Sequence, residues 1–519
     1  MIKKETIVES LKELHLELKT KTEEYIDGKI TAAELKHYSA PFGIYQQRND
    51  LFMARIRVPG GHISVRHIRK IAEAMDTHNV AFAHLTTRQD IQLHDMKPEM
   101  IYPAVRECTE NGLPFKGGGG NTYRNALVSS DSGLSLNEAF DVFPCAKNLN
   151  EYILGYEKAF DLPRKLKIGF SSGNDDSINA AAQDLGFIAK IIDKCRGFEV
   201  YGGGGMGRES MIGVKLFDFL PESQLARCAK AMIDLFYDHG DRTNRNNARL
   251  RFVLKKLGEQ AFVSLFNKYF EEADAELPDA CKWDIFSETE RLTNFSGAEP
   301  DSREYSEWLK YAVSETRFKE IVSIKLFVPC GNLAAAQLRK IADLADICGC
   351  SFLRLTQTRN IILPLLRKSA LPRVFAYLKS ELGDVDLLLG SFKGHIISCI
   401  GAAVCKIGII DSPSLADMIA SNLDNFFKDN SSKRAALIPL ILETVRISGC
   451  PNACSGHPGY QAGLQGLKKK INDSMMDGGL IFSGGSLKKE CRHLAETDGE
   501  FVCLSKIPEK ILDLIPELK

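Results

Sequence analysis

What most constrains this chain is that it repeats itself. Residues 57–93, RVPGGHISVRHIRKIAEAMDTHNVAFAHLTTRQDIQL, align without a gap on 327–363, FVPCGNLAAAQLRKIADLADICGCSFLRLTQTRNIIL. Arg69, Lys70, Ile71, Ala72, Asp76, Phe82, Leu85 and Thr86 are among the positions that recur unchanged. The separation of the copies is far longer than the roughly 20–50 residues of a solenoid unit, so the repeat predicts two related halves and not a stack.

Each copy reads as a strand, a turn at Pro-x-Gly, an amphipathic helix, a strand carrying Leu-Thr and one further strand. That is the pattern of a ferredoxin-like α+β unit. A longer region follows each copy, and a fainter likeness relates LPRKLKIGF to the segment before SGCPNACSG, setting Cys450 and Cys454 against Ser171 and Asp175. The predicted fold is α+β with two pseudosymmetric halves. Ferredoxin-like units occupy 46–120 and 316–388, larger mixed α/β domains occupy 121–290 and 389–519, and residues 1–45 form an N-terminal helical wrap. The acidic, weakly periodic stretch 270–315 reads as a linker or surface excursion.

With 519 residues, 44% of them apolar, the chain is large enough for several cores. Lys plus Arg equals Asp plus Glu at 67 each, which removes any global electrostatic reason to expect nucleic acid or a membrane as partner. No run reaches the ~18 apolar residues of a membrane span, and MIKKETIVESLKELHLELKTKTEEY lacks a signal-peptide core, so a cytoplasmic location is expected. There the 14 cysteines are not a disulfide framework, and clustered ones point to metal or reactivity.

Four of them cluster. Cys399 and Cys405 lie in CIGAAVCKIG, Cys450 and Cys454 in SGCPNACSG. Four thiolates suit either Zn2+ or an iron–sulfur cluster. Zinc knuckles favour two CxxC-like pairs, whereas C-x5-C followed by C-x3-C is longer and unequal, which favours a [4Fe–4S] cluster. Gly449, Pro451 and Gly456 place the second pair on a loop, and Ser412 with Pro413 signals the start of a helix beyond the first. Cys348 and Cys350, in ADICGCSF, have no second pair near them and read as buried packing residues.

The first half concentrates cations on strand-like stretches. FMARIRVPGG holds Arg55 and Arg57, LTTRQDIQLHD holds Arg88, Gln92 and His94, GGGGNTYRNALV holds Asn121 and Arg124, and LPRKLKIGF holds Arg164, Lys165 and Lys167. Gathered on one surface they form a pocket for a multiply charged anion or a carboxylate-rich cofactor. YGGGGMGRES satisfies G-x-G-x-x-G only because it contains four glycines, and a strand pattern follows where a dinucleotide site needs a helix. The glycine quartets 117–120 and 202–205 read as loops for close approach to a flat cofactor or another chain segment.

Taken in order, RIRVPGG, LTTRQDIQLH, NTYRN, LPRKLK and the two cysteine pairs resemble the sirohaem-dependent sulfite and nitrite reductases over residues 45–470. The resemblance implies that Cys399, Cys405, Cys450 and Cys454 hold a [4Fe–4S] cluster and that Cys454 also ligates the sirohaem iron. It implies Arg55, Arg124, Lys165 and Lys167 as the catalytic anion pocket, and Arg57, Arg88, Gln92, His94 and Asn121 as cofactor-binding residues. In plant-type nitrite-reducing members the second basic position of LPRK-x-K is typically asparagine, so Lys167 points to six-electron reduction of sulfite to sulfide, with nitrite to ammonia as the alternative. A non-catalytic iron–sulfur carrier is the distant alternative. The expected electron donor is external, a ferredoxin or a flavoprotein reductase. SGHPGY after Cys454 and NALVSSDSG after NTYRN depart from the common family pattern.

Overall fold

The computed structural model describes residues 16–277, 285–296, 298–382, 392–427, 437–438, 440–442 and 444–515. In the first repeat, the strand Phe52–Ile56 buries Phe52, Ala54 and Ile56 and leaves Met53 and Arg55 half-exposed, the period-2 pattern of a sheet with one covered face. It pairs antiparallel with Ile91–Met96, which pairs with Phe82–Leu85. The helix Val65–Thr77 closes the unit, capped by Ser64, whose hydroxyl accepts the His67 N–H. Its buried stripe is Val65, Ile68, Ile71, Ala72 and Met75.

The second repeat builds the same unit from Ile321–Leu326, Ile361–Arg367, Phe352–Leu355 and the helix Ala335–Ile347. The two units then exchange a short strand. Asn332–Leu333 adds to the first sheet with Asn332 opposite His84, and His62–Ser64 adds to the second with His62 opposite Arg354. The exchange obeys the repeat, because His62 and Asn332 are equivalent positions, as are His84 and Arg354. The two helices pack together with reciprocal ion pairs, Arg69 to Asp346 and Arg339 to Asp76. One apolar core runs through both units and takes in Leu18 and Leu35 of the N-terminal segment.

The larger domains are also copies. In the first, Leu127–Val128, Ile168–Ser171 and Leu185–Ile192 are parallel and Cys195–Gly202 and Val214–Pro221 antiparallel; in the second, Ile397–Ser398, Val445–Ser448 and Ala462–Ile471 are parallel and Ser474–Ser483 and Phe501–Cys503 antiparallel. Ile168 pairs with Leu185 as Val445 pairs with Ala462. That register corrects the correspondence expected from sequence: Cys450 stands where the first half has Gly173, and Cys454 where it has Ser177. The backbone agrees, with positive φ at the equivalent pairs Asp176 and Ala453 and Asn179 and Gly456. Low sequence similarity had hidden a two-residue slip.

Two other expectations are revised. The stretch 270–315 includes the helix Arg303–Ala312, which buries Tyr305 and Trp308 in the shared core, and the edge strand Val313–Glu315. The helix after the first cysteine pair spans Ser412–Phe426 and is capped by Asp411 one residue earlier than expected, because a carboxylate accepts the Ser414 N–H. The glycine quartets pack against chain. A side chain at Gly119 would strike the Ala40 carbonyl at 2.2 Å, and one at Gly204 the Ala181 carbonyl at 2.2 Å. As the strand pattern required, Val214–Pro221 follows the second quartet. No helix among the described residues is long and apolar enough to cross a membrane.

Candidate functional site

The four cysteines come together from two strand ends. Ile397–Ser398 delivers Cys399, the short helix Gly401–Val404 turns the chain to Cys405, and the strand Val445–Ser448 runs into the turn holding Cys450 and Cys454. All four thiols lie within electrostatic range of one another. Yet no three His, Cys, Asp or Glu side chains among the described residues converge tightly enough for a single metal ion. The Gly449 N–H already donates to Cys399 Sγ at 3.1 Å, the kind of N–H···S bond that tunes a cluster. Arg48 fixes the loop from the first half, donating from Nε to the Cys405 carbonyl at 3.2 Å and from Nη2 to the Gly408 carbonyl at 2.8 Å.

Cys454 faces the first half. Its carbonyl accepts the Thr87 hydroxyl at 3.1 Å, and the packed surroundings of its thiol, then the neighbouring thiols, push its pKa up. Lys165 and Lys167 lie in its electrostatic range, on the approach to and entry of the strand Ile168–Ser171. Burial, then Lys167 and Arg249, holds the Lys165 ammonium well below its usual range. Burial, with Arg249 and Arg88, brings Lys167 down to about 7.

Arg55 and Arg124 are held beside them by backbone. Arg55 Nη1 donates to the Gly118 carbonyl at 2.9 Å, and Arg124 Nη2 to the Gly120 carbonyl at 2.8 Å. So the first glycine quartet orients the arginines with its carbonyls. Burial lowers the Arg124 pKa to about 9. Arg88 is buried, with Nη1 donating to Gln183 at 2.7 Å and Nη2 to the Ile168 carbonyl.

The remaining expected residues fall in different places. Arg57, expected at the cofactor, donates to the Lys116 carbonyl at 3.0 Å and to Asn150 Oδ1 at 2.8 Å and lies over the Tyr123 ring, with its Nε left without a partner among the described residues. Gln92 Nε2 meets Met53 Sδ at 3.4 Å. His94 is buried against Phe82 with Nδ1 3.0 Å from Gln47 Nε2. Asn121 is exposed and accepts from Arg164 Nη1 at 3.4 Å.

Three residues escaped the sequence reading. Asp184 is fully buried, pairs with Arg249 at 2.9 Å and accepts the Lys167 N–H at 2.9 Å, so one carboxylate locks the lysine strand to a further arginine. Arg251 is 4% exposed, and neither its Nε nor its Nη1 has a partner among the described residues. The signal was ARLRF, an arginine on either side of Leu250 at the start of the amphipathic helix Leu250–Leu257.

Among the described residues, buried guanidinium nitrogens without partners recur here at Arg55, Arg57, Arg88, Arg249 and Arg251. Such groups are costly unless an anion meets them, so this surface fits a carboxylate-rich macrocycle as the thiols fit a cluster.

Comparison with known proteins gives the same answer. The nitrite/sulfite reductase ferredoxin-like half domain matches residues 45–111 and again 318–381, and the nitrite and sulphite reductase 4Fe-4S domain matches 119–273. That second match falls on the copy that carries serines; the four cysteines lie in the other. The chain is 26% identical to the ferredoxin–nitrite reductase of Synechococcus elongatus over 90% of its own length and 86% of the relative's. It is 25% identical to the sulfite reductase [NADPH] hemoprotein beta-component of Acidithiobacillus ferrooxidans over 82% and 76% of the two chains. Its fold matches the NirA protein of Mycobacterium tuberculosis with a TM-score of 0.77 at 20% identity, covering 93% and 86%. The chain belongs to the nitrite and sulphite reductase family, oxidoreductases that carry sirohaem and a [4Fe–4S] cluster.

Proposed function

We propose that this chain reduces sulfite to sulfide by six electrons, with Cys399, Cys405, Cys450 and Cys454 holding the cluster and Cys454 shared with the sirohaem iron. When bound, the two groups supply one-electron storage and an iron that holds the anion. Arg88, Arg249 and Arg251 would hold the macrocycle's carboxylates, with His94 and Asn121 as further cofactor-binding residues. Arg55 and Arg124, fixed by backbone carbonyls, hold the oxyanion's oxygens. Lys165 and Lys167 donate protons from Nζ as oxygens leave as water, and Lys167, close to neutral in pKa, is suited to both giving and regaining one at neutral pH. The electrons come from a separate ferredoxin or flavoprotein; the names of the two relatives above give ferredoxin and NADPH as their reductants.

The observation that carries sulfite over nitrite is Lys167, an additional basic group within electrostatic range of Cys454. Sulfite carries more negative charge than nitrite at neutral pH and gains more from it. The test is kcat/KM for each anion with a reduced viologen dye as electron source, with sulfide and ammonia measured directly. A higher value for sulfite supports the reading; a higher value for nitrite replaces it with the second one.

A further inference from the structure

Arg359 sits in the turn between the strands Phe352–Leu355 and Ile361–Arg367, at φ +61°. It is 2% exposed, donates from Nη1 to the Cys330 carbonyl at 3.2 Å, and has no partner for Nε among the described residues. Its electrostatic neighbours of potential negative charge are thiols, Cys330 and Cys399. Cys330 in turn lies beside Ser398, the residue before Cys399. Arg446, the other cation close by, is engaged by the Leu442 and Val445 carbonyls and lies over the Tyr460 ring.

The first half shows what this position does without sulfur. Gln89 is the equivalent residue, also in a turn at positive φ, +59°. Its neutral amide donates to the Val128 carbonyl at 2.8 Å and accepts the Val128 N–H at 3.0 Å. Val128 precedes Ser129 as Ser398 precedes Cys399, so both turns reach the back of the equivalent loop. A neutral amide is bonded to the residue before the hydroxyl, and a guanidinium lies within electrostatic range of the thiol.

We propose that Arg359 is the built-in counter-charge of the cluster and raises its reduction potential. The proposal rests on the reading of the four cysteines as cluster ligands. A buried cation without a carboxylate is costly unless a negative group faces it, and four thiolates around a [4Fe–4S] core carry net negative charge. One-electron reduction adds one more negative charge, which a fixed cation in a low-dielectric wall stabilises. Arg359 is a positioning and tuning residue here, with no contact to substrate.

The test is an EPR-monitored redox titration of the cofactor-loaded protein, wild type against Arg359→Gln, which copies Gln89, and Arg359→Lys, which keeps the charge. At the wild-type midpoint the glutamine variant is expected to hold about tenfold less reduced cluster, a downward shift of ~59 mV for one electron. The lysine variant stays within about twofold of wild type on the same scale. A glutamine variant with full iron and sulfide content and an unchanged midpoint overturns the proposal and leaves the cluster reading intact. If the glutamine variant does not load, a tenfold drop in the lysine variant overturns it and a retained midpoint supports it. Wild-type protein free of iron and sulfide overturns the cluster reading, and with it this one.

Discussion

The two long loops of this molecule share a backbone and differ in chemistry. In the second half the Gly449 N–H donates to Cys399 Sγ at 3.1 Å; in the first, the Ser172 N–H donates to Ser129 Oγ at 3.0 Å. Cys454 and Ser177 end equivalent turns, and the two serine hydroxyls have closed on one another at 2.8 Å. The converse holds for charge. Lys165 and Lys167 of the first half have Leu442 and Thr444 as their counterparts. A duplicated fold has therefore produced two loops able to point ligands inward, and residue type alone has divided the work between sulfur and cations.

The most drastic way to break this comparison is to make the halves alike. Cys399→Ser with Cys454→Ser copies Ser129 and Ser177 into the second loop, and bound iron and sulfide should fall to background with activity down by more than ~100-fold, since even outer-shell changes cost 10–100-fold. Ser129→Ala should leave iron content unchanged. A doubly substituted protein that still binds iron would mean that the cluster is held elsewhere.

A second substitution sharpens the charge side. Lys167→Asn removes a basic group within electrostatic range of Cys454, and kcat/KM for sulfite should fall on the order of tenfold relative to nitrite, the scale of one screened charge at short range. Equal loss on both anions would make Lys167 a proton donor without selectivity.

The repeat, the four thiols and the cationic strands were legible because each is carried by residue type and spacing within a short window. The strand exchange was not. Nothing in HIS or in NL announces that His62–Ser64 and Asn332–Leu333 pair with the opposite unit, since both are short strands whose partners are set by packing. Arg57 shows a related limit: Asn150 and Tyr123, distant in sequence, take up part of its guanidinium. Asp184 was invisible because a lone aspartate between Gln183 and Leu185 carries no pattern, and its role exists only once Arg249 is folded against it.

The lysine strand also gives a pH prediction for the cofactor-free protein. Lys167 drops to about 7 in the folded state from a lysine's ordinary 10.5, so between these values the unfolded chain binds the extra proton. Stability then rises as pH increases above about 7, because the unfolded state holds more protons than the native one. Lys167→Met should be the more stable protein near pH 7, with its advantage shrinking toward pH ~8.5 as the wild-type unfolded chain pays to stay protonated. Thermal unfolding of both proteins across that window checks it; a constant difference would show that Lys167 titrates normally.

The smallest effect tests how far the symmetry reaches. Arg69 and Arg339 are equivalent and reach Asp346 and Asp76, which are also equivalent. But Arg69 has a second partner, Asp343 at 2.6 Å, whose counterpart Glu73 is drawn to Lys70 instead. All these groups are substantially exposed, so each pair is worth only about 0–1 kcal/mol. Arg69→Ala should therefore lower the denaturant midpoint slightly more than Arg339→Ala at low salt. Near 1 M salt, where the screening length falls to about 3 Å, the two variants should converge. Equal losses at low salt would mean that Asp343 adds nothing and that the helix pair is as symmetric in energy as in backbone. A difference that survives high salt would place the asymmetry in the packing of the arginine stems between the helices, where the two sequences have diverged, and not in their charges.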